Sequence, residues 1–230
     1  MKKYRLTEET IRVGNRTLYR IQALRDFGEV KEGELGGYIE AEKNLSQCCD
    51  AWVSGNAWVS DNARVSDNAW VYGNARVSDN AWVSGNALVY GDAWVYGNAR
   101  VYGNAQVSDN AQVSGDAWVS GDACVSDNAW VSGNACVYGN ARVYGDARVY
   151  GNADIKTTGD ICSMSGFGSE YRTTTAFRTK NGDVHVSCGC FFGSLEEFCQ
   201  RVESTHGNNL YGREYKKMIE MLKIHFEVEP

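Results

Sequence analysis

Residues 51–74 read AWVSGN, AWVSDN, ARVSDN, AWVYGN, and the same Ala-x-Val triplet returns at every sixth position from Ala51 to Ala147. Seventeen consecutive units therefore keep one register, followed by the weaker Ala153-Asp154-Ile155 and Gly159-Asp160-Ile161. Two residues apart, Ala and Val share one face of an extended strand, and the residue between them points the other way. Gly or Asp, then Asn or Asp, follow at each corner, and these residues tolerate turn geometry. Each unit is thus predicted to be a short strand plus a turn. So short a strand cannot bury its own apolar side, but stacked coils can. Three units make a triangular coil. About six such coils, at roughly 4.8 Å per stacked strand, give a rod on the order of 29 Å long.

The rest of the composition agrees with such a rod. Gly occurs 25 times and Pro once, a balance suited to backbone ladders that no proline interrupts. The net charge is -6. No apolar run reaches 18 residues and no apolar stretch follows Met1-Lys2-Lys3, so a cytoplasmic protein without a membrane span is expected. The eight cysteines have no disulfide-framework spacing and read as free thiols.

Taking every third unit predicts three outward columns. The first is Trp52, Trp70, Leu88, Gln106, Cys124 and Arg142, the second Trp58, Arg76, Trp94, Gln112, Trp130 and Arg148, and the third Arg64, Trp82, Arg100, Trp118, Cys136 and Asp154. All seven Trp fall in these columns. Alternating Trp and Arg would allow cation–π stacking. The ladders either stabilise the sheets or form a binding surface. On the first column Trp52, Trp70 and Leu88, with Tyr72 and Tyr90 beside them, make an apolar patch expected to contact another subunit or the N-terminal segment. Arg64, Trp82, Arg100 and Trp118 are the further interface candidates. Corner Asp residues read as turn formers rather than a calcium site, which would need converging carboxylates. Residues 51–152 hold five Arg, no Lys and nine Asp, the wrong sign for nucleic acid.

Residues 1–50 are expected to form an N-terminal cap, with a strand ending at Leu24 and a degenerate first coil at Leu35–Leu45. Residues 51–159 form the solenoid, and 160–230 a C-terminal α+β domain of ββαα order. There TTTAFRTK and VHVSCGC flank Asn181-Gly182, a hairpin signal. Ser194-Leu195-Glu196-Glu197 is a capping box opening one helix, and a second is predicted from about Leu210 to Phe226. Cys188, Cys190, Cys199 and His206 lack zinc-knuckle spacing and read as buried thiols, with Cys188 and Cys190 continuing the Val184/Val186 side of their strand. A weaker alternative site groups His185, Cys188, Cys190 and His206 around a thiol nucleophile. No catalytic, metal or cofactor residues are expected otherwise.

Val53 with Ala57, and Val59 with Ala63, match the aliphatic-then-small pattern of the hexapeptide-repeat superfamily, and that resemblance implies a left-handed parallel β-helix. Three stretches, TLYRIQALRDFGEVKEGELGGYIEAEKNLSQ, the Ala-x-Val array, and CGCFFGSLEEF with THGNN, resemble the YdcK-like hexapeptide-repeat proteins of bacteria and phages. Such proteins are often labelled acyltransferases, which implies acyl-CoA chemistry with a coil-borne His as general base. Here His185, His206 and His225 all lie outside residues 51–158. The expectation is instead a non-enzymatic oligomeric scaffold, trimer or dimer, binding a host or phage protein. The phage association extends this to inhibition of a host defence complex such as CRISPR-Cas. An acyl-CoA-dependent acyltransferase is the alternative.

Overall fold

The computed structural model describes residues 2–228. Between Trp52 and Ile155 every repeat unit contributes one two-residue strand, such as Trp52–Val53 or Arg64–Val65. Partners are 18 residues apart: Trp52 pairs with Trp70, Trp58 with Arg76 and Arg64 with Trp82, all in parallel. The three columns predicted from the period are the three sheets observed, and the stack makes about seven turns.

One register fills the core. Val of each unit is at most 1% exposed, and so is each Ala from Ala51 to Ala153. Each buried valine contributes about 1.5–2 kcal/mol. Backbone donors repeat with equal regularity. Trp70 N–H donates to Ala87 O at 3.0 Å, Tyr72 N–H to Val89 O at 3.0 Å and Asn74 N–H to Gly91 O at 2.7 Å. Every coil thus hands three bonds per unit to the next.

The corners add a second ladder. Asn56 Nδ2 donates to Asn74 Oδ1 at 3.2 Å, and Asn74 Nδ2 to Asp92 Oδ1 at 3.0 Å. Asn98 and Asn104 likewise end on Asp116 and Asp122. A carboxylate only accepts, so each Asp closes its Asn row.

At the N-terminus, β1 (Tyr4–Val13) and β2 (Arg16–Ala23) form an antiparallel hairpin, and β3 (Leu35–Ile39) joins the second face parallel to Trp58–Val59. Leu45 bridges Val65, so Leu35–Leu45 is indeed an irregular coil beneath the repeat. The sequence showed one strand here. The other, YRLTEETIRV, has too little apolar alternation to stand out. Gly36 sits where a Cβ would fall 2.6 Å from Val53 O, so the cap and first full coil approach closely only because this residue is Gly. Lys3 is buried, its Nζ donating to Ala51 O at 2.7 Å, and burial lowers its pKa to about 8.

The C-terminal part departs from the expected ββαα order. Four antiparallel strands, Ile161–Phe167, Arg172–Arg178, Val184–Cys188 and Phe191–Ser194, precede α1 (Leu195–His206) and α2 (Leu210–His225). The two outer strands were missed because ICSMSGF and FFGS are short, Gly-containing and without clear alternation. The sheet is apolar on both faces. Phe177 joins the solenoid core, while Ala176, Val184 and Val186 pack against Phe198, Val202, Met218 and Leu222 of the helices. Thr175 Oγ1 accepts from Arg148 N–H at 3.1 Å, and Tyr150 Oη meets Ser187 Oγ at 2.6 Å. The sheet therefore plugs the end of the rod and carries the helices outside. Among the described residues, no helix is long and apolar enough to cross a membrane.

Candidate functional site

Every outward residue of the rod is set by its rung, and its tilt by its neighbour one coil back. Trp82 Nε1 donates to Ser66 Oγ at 3.0 Å, Trp94 Nε1 to Ser78 Oγ at 3.3 Å and Trp130 Nε1 to Ser114 Oγ at 3.3 Å. The indole thus lies over the preceding corner, 16 residues earlier. At Trp118 that corner residue is Tyr102, and the rings meet edge-on at 6.3 Å.

On the third face Arg64, Trp82, Arg100 and Trp118 follow one another up a single sheet. Trp82 is 45% exposed and Trp118 41%, and both arginines are exposed. The Arg100 guanidinium lies 5.3 Å from the Trp118 ring. The expected stacking holds at this pair but not at Arg64–Trp82 or Arg76–Trp94, where the indole turns to a serine instead. No described Lys/Arg–carboxylate ion pair involves these arginines.

On the first face the N-terminal segment, one of the two expected contacts, meets the start of the apolar patch. Trp52 is 1% exposed, with Phe27 at 5.3 Å and Tyr4 at 6.4 Å, both edge-on. It is core, covered by the N-terminal segment, and leaves the interface candidates. Trp70 and Leu88 are half-buried, and Tyr72 stacks on Tyr90 at 5.0 Å with an interplanar angle of 5°. Burial, then the neighbouring Tyr90, raises the Tyr72 pKa. Trp70, Tyr72 and Leu88 floor an open groove of about 650 Å³, rimmed by Glu29 and Asp50 of the cap.

Three of the four residues of the thiol site come together and one does not. Cys188, Cys190 and His206 line a pocket of about 280 Å³ in the C-terminal part. His185 points through the sheet to the other side, edge-on to Phe192 at 5.5 Å, with its Nδ1 buried and unpartnered. Cys190 does not continue the buried strand side either. The strand ends at Cys188, Gly189 turns the chain at φ +59°, and Cys190 is exposed. No group of three or more potential metal ligands occurs among the described residues.

Within that pocket Cys188 Sγ accepts from Thr174 Oγ1 at 3.2 Å and lies 3.8 Å from Tyr215 Oη. The His206 ring stacks on Tyr215 at 5.6 Å. Burial, followed by the Cys188 thiol, pushes the Tyr215 pKa up to about 12. Arg172 and Arg201 complete the lining. Sequence reasoning placed Tyr215 on the core face of its helix and gave no role to either arginine. The pocket gathers residues from three strands, two turns and two helices, and no spacing along the chain reports that.

A family model described as the YdcK β-solenoid repeat matches residues 57–73, 69–85, 81–97, 93–109, 105–121 and 135–151. No curated protein sequence matches the chain. The repeat register, the three parallel sheets and this match agree: the solenoid is built of repeats similar to the YdcK β-solenoid repeat.

Proposed function

We propose that this chain is a non-enzymatic binding protein that engages a protein partner through the third solenoid face, in an oligomer joined along the Trp70/Leu88 groove. The observation that carries the reading is the pair of exposed indoles, Trp82 and Trp118, flanking Arg100 on a sheet whose backbone donors pass from coil to coil. Trp, Tyr and Arg dominate binding hot spots because each buries a large area and still offers a directed polar contact. A rigid ladder adds to this, because little side-chain or backbone order is lost on association. The two free guanidiniums favour a partner surface bearing carboxylates among apolar residues. The phage link implied by the resemblance points to a host defence complex, such as CRISPR-Cas, as the partner.

The acyltransferase alternative rests on the wider superfamily. Residues 51–158 offer no His for general-base chemistry, and fold alone does not carry activity. The test is affinity capture from host cells with the tagged wild type and a Trp82→Ala/Trp118→Ala variant, alongside an acyl-CoA turnover assay. One stoichiometric protein, lost with the double variant, and no turnover are expected. Turnover of acyl-CoA, or capture that ignores both tryptophans, overturns the reading.

A further inference from the structure

We infer that the C-terminal pocket is a binding site for a small planar organic phosphate of mononucleotide size, separate from the protein-binding face. The pocket lies between the helix-facing side of the sheet and α1, with Tyr215 of α2 closing it. Its volume is about 280 Å³, enough for one ring system with a short substituent. The wall is aromatic. Phe198 meets Phe191 at 5.2 Å and Tyr215 at 5.7 Å, and His206 stacks on Tyr215 at an interplanar angle of 27°. A flat ring laid against this aromatic wall gains both area and edge or offset contact.

The rest of the lining has the opposite character. Arg172 and Arg201 line the pocket together with Ser169 and Thr205. Guanidinium forks and hydroxyl donors suit phosphate oxygens. One carboxylate, Glu170, also lines the site. It lies 3.9 Å from Arg172 Nη2, beyond a hydrogen bond, and leaves Arg172 free to donate elsewhere. Two cations against one anion make this a positive spot on a chain of net charge -6. The floor adds no charge that would repel an anion, since Tyr215 is held in its neutral form well above neutral pH.

Gly189 explains why Arg172 can take this place. A Cβ there would fall 2.4 Å from Arg172 Nη1 and 3.0 Å from its Cδ. The Cys188-Gly189-Cys190 turn is therefore the bed on which the Arg172 side chain lies. The positive φ of Gly189 already calls for glycine, and the missing Cβ leaves room for the guanidinium.

The test titrates the full chain with the four nucleoside monophosphates and phenyl phosphate, followed by calorimetry and by the His206 ring protons. Adenosine and inorganic phosphate are the controls for ring and phosphate alone. Arg201 is exposed on α1, so Arg201→Ala leaves the fold intact. Arg213→Ala, an arginine of the same domain outside this pocket, is the charge control. At least one ring phosphate is expected to bind with shifts at His206, more than tenfold tighter than either control, and to weaken at least tenfold in Arg201→Ala but not in Arg213→Ala. The proposal falls if no probe binds. It falls equally if inorganic phosphate matches the nucleotides, or if both arginine variants lose affinity alike.

Discussion

At each corner a single residue decides whether two coils can touch. Gly103 has φ +72°, and a Cβ there would lie 3.0 Å from Gly121 N. Asp67, Asp79 and Asp127 occupy the same corner position with φ of 58–59°. They are tolerated because the carboxylate accepts the N–H of the next coil: Gly85 N–H to Asp67 at 3.1 Å, Gly97 N–H to Asp79 at 3.0 Å and Gly145 N–H to Asp127 at 2.9 Å. The side chain offsets its own crowding with a hydrogen bond. Gly103→Ala, which cannot, is therefore expected to cost about 1–2 kcal/mol, and Gly103→Asp less than half of that. Chemical denaturation of the two variants checks the order, and equal losses would contradict it. The choice of Gly or Asp at corners was legible from the repeat alone. The Asn rows were not, because they are bonds between residues a full coil apart.

Elements outside the repeat were harder to read for a different reason. A period-two or period-3.6 pattern reports which side of an element is buried, and it fails where both sides are. In the plug sheet the strand buried at Thr174, Thr175, Ala176 and Phe177 in succession was legible only through the Asn181-Gly182 turn that follows it, and the outer strands Ile161–Phe167 and Phe191–Ser194 have no such turn signal. Trp52 shows the converse. Its position in the repeat marks it as outward, and it is, but the cap closes over it. The first helix opens at its capping box as read, and the second, read from about Leu210 to Phe226, runs Leu210–His225. Tyr215 couples this region to pH. Its folded pKa, about 12, lies above the ordinary value of 10.0, so the unfolded chain gives up the proton first. The stabilisation is complete below pH 10 and is lost as pH rises towards 12. Alkaline unfolding followed by ellipticity should show the C-terminal helices loosening in that window, with a weaker pH dependence in Tyr215→Phe. An unchanged profile in the variant would remove Tyr215 as the cause.

The whole molecule is a rod stopped at both ends. An open coil presents unpaired donors and acceptors that template further stacking. The plug prevents this by pairing Ala153 with Thr179 and by Lys180 N–H donating to Asn152 O at 3.0 Å. A chain ending at Thr158 would expose Val149 and Ile155, and is expected to form end-to-end assemblies by light scattering where the full chain gives one discrete mass. A discrete mass for the shortened chain would show that the plug is dispensable. With its ends closed, the rod has only its sides to offer a partner, and the third side alone presents two indoles more than 40% exposed in one sheet.

The most direct measurement of that claim is site-specific photo-crosslinking in host cells, with benzoylphenylalanine replacing Trp118 on the third face or Gln106 on the first. One heterologous adduct is expected from position 118, and none to that protein from position 106. The same adduct from both positions, or from position 106 alone, would contradict it.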